Sequence, residues 1–391
     1  MKKTDTDLII IGAGIMGLMT AYYARRYTKR ILILEKREVG NREAASFSLT
    51  RSIRSDYLDP LYARLAKESL KLWREIERKS ARQLIIPAGC LNIAQKEVTP
   101  NLSQTYAAKC LVTLQKLNFL AQNLSKRELA ARFPQFQADV GVLDTEGGVA
   151  DVQAITKTMA RFITTNQTLL QENVEISSIR KAGNLSVVTT NNGVYQAKHL
   201  IITAGLWTNE VLERIQNCGV RFSVRPDRPR ECKYVIPPKN LERNFYPDRF
   251  PVFAYLDVGI YGHPILPGKT PGVKIGFYRP PEVKEGANEK INSIADFVRF
   301  CLPALANAPI VDVRSADQCS YDMTPGNDFI VGVLPDVANI YVATGWNGTG
   351  YKFAPLIGKI LTELVIQEKT QYDLARFDPR RFVSAAHKQP L

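Results

Sequence analysis

Apolar residues along this chain follow two rhythms. Leu8-Ile9-Ile10-Ile11 and Ile31-Leu32-Ile33-Leu34 are unbroken runs. Such runs predict strands covered on both faces, as in a parallel sheet with helices on either side. His199-Leu200-Ile201-Ile202 repeats the pattern and leads into Thr203-Ala204-Gly205. Elsewhere apolar positions recur every three or four residues. Leu61, Leu65, Leu70, Trp73 and Ile76 follow Pro60 and predict an amphipathic helix over 61–78. Helices are also expected over 18–27, 152–165 and 355–367, the last with Ile357, Ile360, Leu361, Leu364 and Val365 on one face. A strand is expected at 173–176, and a hairpin over 186–195 turning at Asn191-Asn192-Gly193. From 221 to 318 the chain becomes rich in Pro and aromatic residues, with strand-like pieces at 233–236 and 273–277. That stretch predicts a separate antiparallel sheet, the usual substrate-facing wall of a two-domain enzyme.

The turn between the first two strands carries candidate chemistry. Gly12-x-Gly14-x-x-Gly17 follows the first strand at once and opens a helix, and the second strand ends in Glu35. This is a complete βαβ dinucleotide fingerprint, with an acid about 20 residues beyond the glycines. Gly12 permits the tight turn, Gly14 lets backbone approach a pyrophosphate, and Gly17 lets helix pack on strand. The helix N-terminus offers N–H groups and the positive end of its dipole to phosphate. Glu35 can accept hydrogen bonds from a ribose 2′-hydroxyl. The pattern suits FAD and NAD alike. No second copy is present, because the late Gly345-x-x-Gly348-x-Gly350 has different spacing. Ala204 and Gly205, in a small-residue turn after a buried strand, are candidates for close contact with the same cofactor. An ordinary strand-to-helix loop reads equally well there.

Composition narrows the classes. The chain has 391 residues, 45% hydrophobic and 23% charged, enough for a sizeable core in about two domains. The net charge is +14, yet Lys and Arg are scattered, as in Arg25-Arg26 and Arg380-Arg381. A nucleic-acid partner is therefore not expected, and attraction of anionic substrates is. Six cysteines lack any C-x-x-C pair, and there are three histidines, so neither a metal site nor a disulfide framework is expected. Lys2-Lys3 before an apolar stretch imitates a signal peptide, but Asp5, Asp7 and the glycines interrupt it. No membrane partner is expected, and the C-terminal Lys-Gln-Pro-Leu is not a peroxisomal address, so the cytoplasm is the expected compartment. A monomer or small oligomer is expected.

Two late segments complete the pattern. One runs Cys319-Ser320-Tyr321-Asp322-Met323-Thr324-Pro325-Gly326, and the other Gly345-Trp346-Asn347-Gly348-Thr349-Gly350-Tyr351-Lys352-Phe353. With the fingerprint, with Thr50-Arg51-Ser52-Ile53-Arg54, and with Tyr261-Gly262 before Gly272-Val273-Lys274-Ile275-Gly276, they occur in the order of a known family. The chain resembles the glycine/D-amino-acid oxidase superfamily of FAD enzymes. The likeness is greatest to the branch of monomeric sarcosine and N-methyltryptophan oxidases, with the pipecolate-type imino acid oxidases beside it. The resemblance implies an α/β fold, with a Rossmann-like FAD-binding domain and a discontinuous antiparallel-sheet substrate domain of α+β character. Residues 1–85, 146–220 and 319–391 are assigned to the first, and 86–145 and 221–318 to the second.

The resemblance also implies roles. Cys319 matches the cysteine that bonds through sulfur to the flavin 8α-carbon; read alone, it fits a buried structural cysteine. Arg54 and Lys352 match the pair that holds the substrate carboxylate, for which a guanidinium fork and an ammonium point charge are suited. Lys274 matches the lysine beside which O2 is reduced, where a fixed cation stabilises developing negative charge. Arg51, with Thr50, matches residues at the flavin ring. Tyr261 and Tyr321 match tyrosines of the substrate cavity, and Gly348 and Gly350 belong to the cofactor loop. Phe47 and Tyr278 stand where the sarcosine oxidase pattern carries histidines, and Trp346 where a smaller aromatic is common. The implied activity is oxidation of a secondary or cyclic amine of a small amino acid to an imine, with O2 reduced to H2O2. A flavin dehydrogenase using another acceptor, and a non-catalytic FAD-binding protein, are the alternatives.

Overall fold

The computed structural model describes residues 3–164, 168–227, 232–278, 290–313 and 320–384. The chain forms two compact units, each built from separate segments: 1–47, 153–228 and 319–391 in one, 48–152 and 229–318 in the other.

In the first unit the strand Lys3–Ile11 lies at the centre of an eight-stranded sheet. Ile31–Leu34 and Gly193–Ile202 flank it in parallel, with Ile9 opposite Leu32 on one side and Leu200 on the other. Leu169–Gln171 extends the parallel order beyond Ile31–Leu34. The far edge of Gly193–Ile202 is shared: Leu185–Thr190 pairs antiparallel with its start, and Ile340–Thr344 pairs parallel with its end. The unbroken apolar runs are buried throughout, as the sequence pattern demands.

The first helix is Ile15–Ala24, the same length as the expected 18–27 but three residues earlier. All of its residues are buried, so it has no polar stripe to mark its limits; Gly14 is its N-cap, and the chain leaves it at Arg25. The helix Ala354–Gln367 packs against it. Gly358 makes this approach possible, since a Cβ there would stand 2.6 Å from the carbonyl carbon of Met19. Thr362 Oγ1 then donates to the Thr20 carbonyl across the contact at 3.3 Å. The strand expected at 173–176 is a turn instead. Asn173 takes a left-handed conformation with φ 58°, and Asn191 ties that turn to the hairpin, so the strand begins at Ile176.

The second unit is built on another eight-stranded sheet. Its order is Ile310–Val311, Cys232–Val235, Val273–Phe277, Ile260–His263, Val252–Tyr255, Cys90–Ala94, Val140–Asp144, Ala121–Ser125. The junction of Val252–Tyr255 with Cys90–Ala94 is parallel and the others are antiparallel, so the expected antiparallel sheet contains one parallel seam where its two segments meet. Stacked pairs Phe136–Phe250 and Phe253–Phe297, with centroids 4.8 and 5.6 Å apart, fill the core beneath it. The helix Pro60–Ser80 starts where expected: Asp59 caps it by accepting from Leu61 N, and Pro60 occupies the first turn.

The boundary between the units differs from the sequence division. Residues 48–85 and 146–152 were assigned to the cofactor domain but belong to the second unit. The reason is a three-stranded sheet in which Gly148–Asp151 pairs with both Thr50–Ile53 and Ile85–Pro87 and carries all three strands with it. Residues 221–227 join the first unit, where Arg225–Asp227 pairs with Tyr321–Met323. Among the described residues no helix is long and apolar enough to cross a membrane.

The close helix contact yields a prediction. Gly358→Val should lower the unfolding free energy by about 3 kcal/mol, the scale of overpacking against backbone. Urea denaturation of the FAD-free protein measures this, and an unchanged midpoint would show that the two helices separate at no cost.

Candidate active site

In the first unit, the fingerprint glycines, the Thr203 turn and the end of Ile340–Thr344 gather at the carboxyl ends of the parallel strands, where open α/β sheets bind ligands. Gly12 has φ 98°, and a Cβ on it would lie 2.7 Å from the Thr203 carbonyl oxygen. Thr203 Oγ1 donates to the carbonyls of Ile11 and Gly12 at 3.1 and 3.0 Å, which clamps turn to turn. A Cβ on Gly17 would lie 2.0 Å from the Gly12 carbonyl oxygen, so only glycine lets the helix begin this close to the strand. On Gly14 a Cβ would meet Ser46 Oγ at 3.2 Å, closer than ordinary contact.

Glu35 lies beside this loop. Its carboxylate accepts from the amide of Ala13 at 2.6 Å and from that of Arg37 at 3.0 Å. It therefore braces the glycine turn. Ser46 Oγ accepts from Ile15 N at 2.9 Å. Ala204 and Gly205 lie on the same edge, and the Gly205 carbonyl accepts from Thr208 Oγ1 and Thr344 Oγ1. Tight turn, helix N-terminus, closely packed glycines and adjacent acid are the features that hold a dinucleotide, so the residues present fit FAD.

The late glycine loop is held by Asp322, a residue the sequence reading did not single out. Asp322 Oδ2 accepts from Gly345 N at 2.8 Å and from Thr344 Oγ1 at 3.2 Å, and its carbonyl accepts from Asn347 N at 3.1 Å. Asn347 returns the tie, its Oδ1 accepting from Thr324 N and its Nδ2 donating to the Gly345 carbonyl. Gly348 leaves room for the Tyr321 ring, since a Cβ would be 2.9 Å from it; Gly350 does the same for Trp346, whose ring packs edge-on against Phe329. Lys352 is buried, with Nζ donating to the Thr349 carbonyl at 3.1 Å. Cys319 lies outside the described residues.

The second unit carries the other candidates. Lys274 is 1% exposed, and its Nζ donates to Ser48 Oγ at 3.1 Å and to the Thr50 carbonyl at 3.4 Å. Lys274 stands opposite His263 in the antiparallel pairing, and Tyr261 opposite Gly276, whose missing side chain makes room for the Tyr261 ring. His263, also absent from the sequence candidates, bonds through Nδ1 to Thr50 Oγ1 at 2.8 Å. Its signal was available: it follows Tyr261 by two residues, the spacing that shares a strand face. Arg51 is half-buried, with a long 3.5 Å contact from Nη1 to the Thr50 carbonyl.

Arg54 does not stand alone. Its Nη1 donates to Asp56 Oδ1 at 2.7 Å and to the Asp56 carbonyl at 2.9 Å, and its guanidinium lies 4.8 Å from the Tyr57 ring centroid. Asp56 is fully buried; Asn92 Nδ2 and the Cys90 thiol both donate to its Oδ2, and Tyr106 OH to its carbonyl. Burial opposes charge on Arg54, but Asp56 together with Tyr106, Tyr57 and Cys90 outweighs it and holds the guanidinium well above its usual range. Burial, reinforced by Asp56, pushes the Cys90 thiol well up, so it stays a donor. Asp56 could have been suspected only from its place two residues beyond Arg54.

Burial pushes the Asp322 carboxyl up to about 6, against the backbone amides that favour its charge. Its folded pKa lies above the ordinary 3.8, so the folded chain holds this proton the more tightly. The associated stability, about 3 kcal/mol, is complete below the unfolded value and is lost as pH rises through about 6. Asp322→Asn lacks that dependence. The melting temperature of the FAD-free variant, relative to the parent, should therefore rise by a few degrees from pH 4 to pH 8. A difference constant across that range would show that Asp322 does not titrate there.

Residues 7–364 match the family of FAD dependent oxidoreductases designated DAO. Human peroxisomal sarcosine oxidase is 32% identical over 98% of both chains. The monomeric sarcosine oxidase of Streptomyces avermitilis is 26% identical over 97% of this chain and 98% of its own. Among solved structures, L-proline dehydrogenase from P. horikoshii superposes with a TM-score of 0.78 at 19% identity, covering 97% of this chain and 98% of that one. NikD, an amino acid oxidase of nikkomycin biosynthesis, gives 0.76 at 21% identity, covering 99% and 100%. With its fingerprint, its parallel sheet and this match over most of its length, the chain belongs to the DAO family of FAD dependent oxidoreductases.

Proposed function

We propose that this protein is an FAD-dependent amine oxidase, acting on a small amino acid whose amine is secondary or part of a ring and passing the electrons to O2. The observation that carries the oxidase reading is Lys274, an ammonium held on the strand Val273–Phe277 with 1% exposure by a hydroxyl and a carbonyl. Related proteins named sarcosine oxidase and N-methyl-L-tryptophan oxidase support the substrate class. When bound, FAD supplies the two-electron acceptor, so that CH–NH becomes C=N and O2 becomes H2O2 overall. The remaining work falls to the chain. The N-terminus of Ile15–Ala24 and the glycine loop before it would receive the pyrophosphate, and Glu35 would accept from the ribose. Thr50, Arg51, Ala204, Gly205, Gly348 and Gly350 would serve the cofactor, and Cys319 would hold its ring through a thioether, for which the S–H and one 8α C–H bond are lost, the flavin itself takes up the electron pair and O2 reoxidises it.

Arg54 binds the substrate carboxylate with a guanidinium oriented by Asp56, and Lys352 adds its charge to the same anion. Tyr261, Tyr321 and Trp346 provide aromatic surface for the substrate. Phe47 and Tyr278 replace the histidines of the sarcosine oxidase pattern, which favours a cyclic or larger secondary amine over sarcosine. No side chain needs to act as base if the amine binds neutral. Lys274 places fixed positive charge where O2 acquires electrons.

Mixing the holoenzyme anaerobically with N-methyl and cyclic amino acids should bleach its flavin with at least one of them, and air should restore the colour with formation of H2O2. Lys274→Met should slow reoxidation about 100-fold or more while changing reduction by substrate less than about threefold. Equal slowing of both steps would sink the role given to Lys274, and reoxidation only by an added acceptor would make the protein a dehydrogenase. The covalent link has its own check. Acid-precipitated holoenzyme should remain yellow, and Cys319→Ser should release its flavin to the supernatant; a colourless pellet from the parent protein removes the thioether.

A further inference from the structure

We propose that His263 is the positioning residue of Lys274, acting through Thr50. Three elements meet at this point. Strand pairing sets His263 directly opposite Lys274, and Tyr234 opposite Lys274 on its other side. Alternation along Ile260–His263 puts Tyr261 and His263 on one face, with ring centroids 5.6 Å apart. The third element is the start of Thr50–Ile53. Thr50 accepts from Lys274 through its carbonyl and bonds to His263 Nδ1 through its hydroxyl, at 3.4 and 2.8 Å. Ser48 Oγ, which accepts from Lys274, donates to the same Thr50 carbonyl at 2.9 Å.

The consequence is mechanical and electrostatic. A buried ammonium on a flexible stem stays in place only where its acceptors are fixed. Two of those acceptors belong to residues 48–50, and the His263–Thr50 bond ties that segment to the strand beside Lys274. The bond ties Thr50 to His263 whichever of Nδ1 and the hydroxyl is the donor. His263 thereby sets the location of the cation without touching the reacting atoms. This inference rests on the role given to Lys274, and the test separates the two.

His263→Phe fills the volume and removes the bond; His263→Asn keeps an amide atom near the position of Nδ1. In FAD-free protein, acetylation of Lys274 followed by mass spectrometry reads the tie without any turnover. His263→Phe should raise that rate at least about tenfold, and His263→Asn should leave it near the parent value. In holoenzyme reduced with dithionite and mixed with O2, His263→Phe should slow reoxidation about tenfold, with anaerobic reduction by substrate changed less than about threefold. Thr50→Val removes the other end of the bond and should reproduce the acetylation result, which keeps the inference testable if His263→Phe does not fold. Unchanged acetylation of Lys274 in both His263→Phe and Thr50→Val overturns the proposal, as does equal slowing of both half-reactions. If Lys274 becomes reactive in these variants while Lys274→Met reoxidises normally, the positioning stands and the oxygen role of Lys274 falls.

Discussion

A charge taken out of water must be matched inside the protein, and this requirement shapes both units. Lys274, Arg54, Lys352, Asp56 and Asp322 are all buried. Lys352 donates to the Thr349 carbonyl. Arg54 and Asp56 form an ion pair, and Asp56 is held in turn by Asn92, Cys90 and Tyr106. Asp322 is bound by amides and a hydroxyl of the glycine loop, which is too little to keep its pKa at the ordinary value. Lys274 is bound by a hydroxyl and a carbonyl from residues 48–50. Buried polar groups of this kind are rigid because moving them would break bonds that nothing else in a dry interior replaces.

That rigidity explains the architecture around them. The parallel sheet of the first unit brings its strand ends together at one edge, so the fingerprint loop, the Thr203 turn and the Gly345 loop share a border without a long connection. Glycines at 12 and 17 are demanded by contacts of 2.7 and 2.0 Å that no larger residue could make. In the second unit, short antiparallel strands place Tyr261, His263 and Lys274 on one face, and the three-stranded sheet supplies Thr50 from a distant segment.

Much of this was legible from local sequence. Two adjacent apolar runs, a glycine turn and a spaced acid define strand, loop, helix and strand within 35 residues, because each element is set by its own periodicity. The helix Pro60–Ser80 and the strand Val273–Phe277 were legible for the same reason. Partnerships between distant segments were not. Lys274 meets Thr50 across 224 positions, Asp56 meets Asn92 across 36, and Asp322 meets Gly345 across 23. In the same way, the pairing of Gly148–Asp151 draws residues 48–85 into the second compact unit, which no local pattern shows. By itself, then, the sequence determined the cofactor fold and the identity of the charged residues, because periodicity and turn chemistry are local. Tertiary structure alone decided which buried group each charge faces, because strand register and sheet order bring together residues that no local pattern connects.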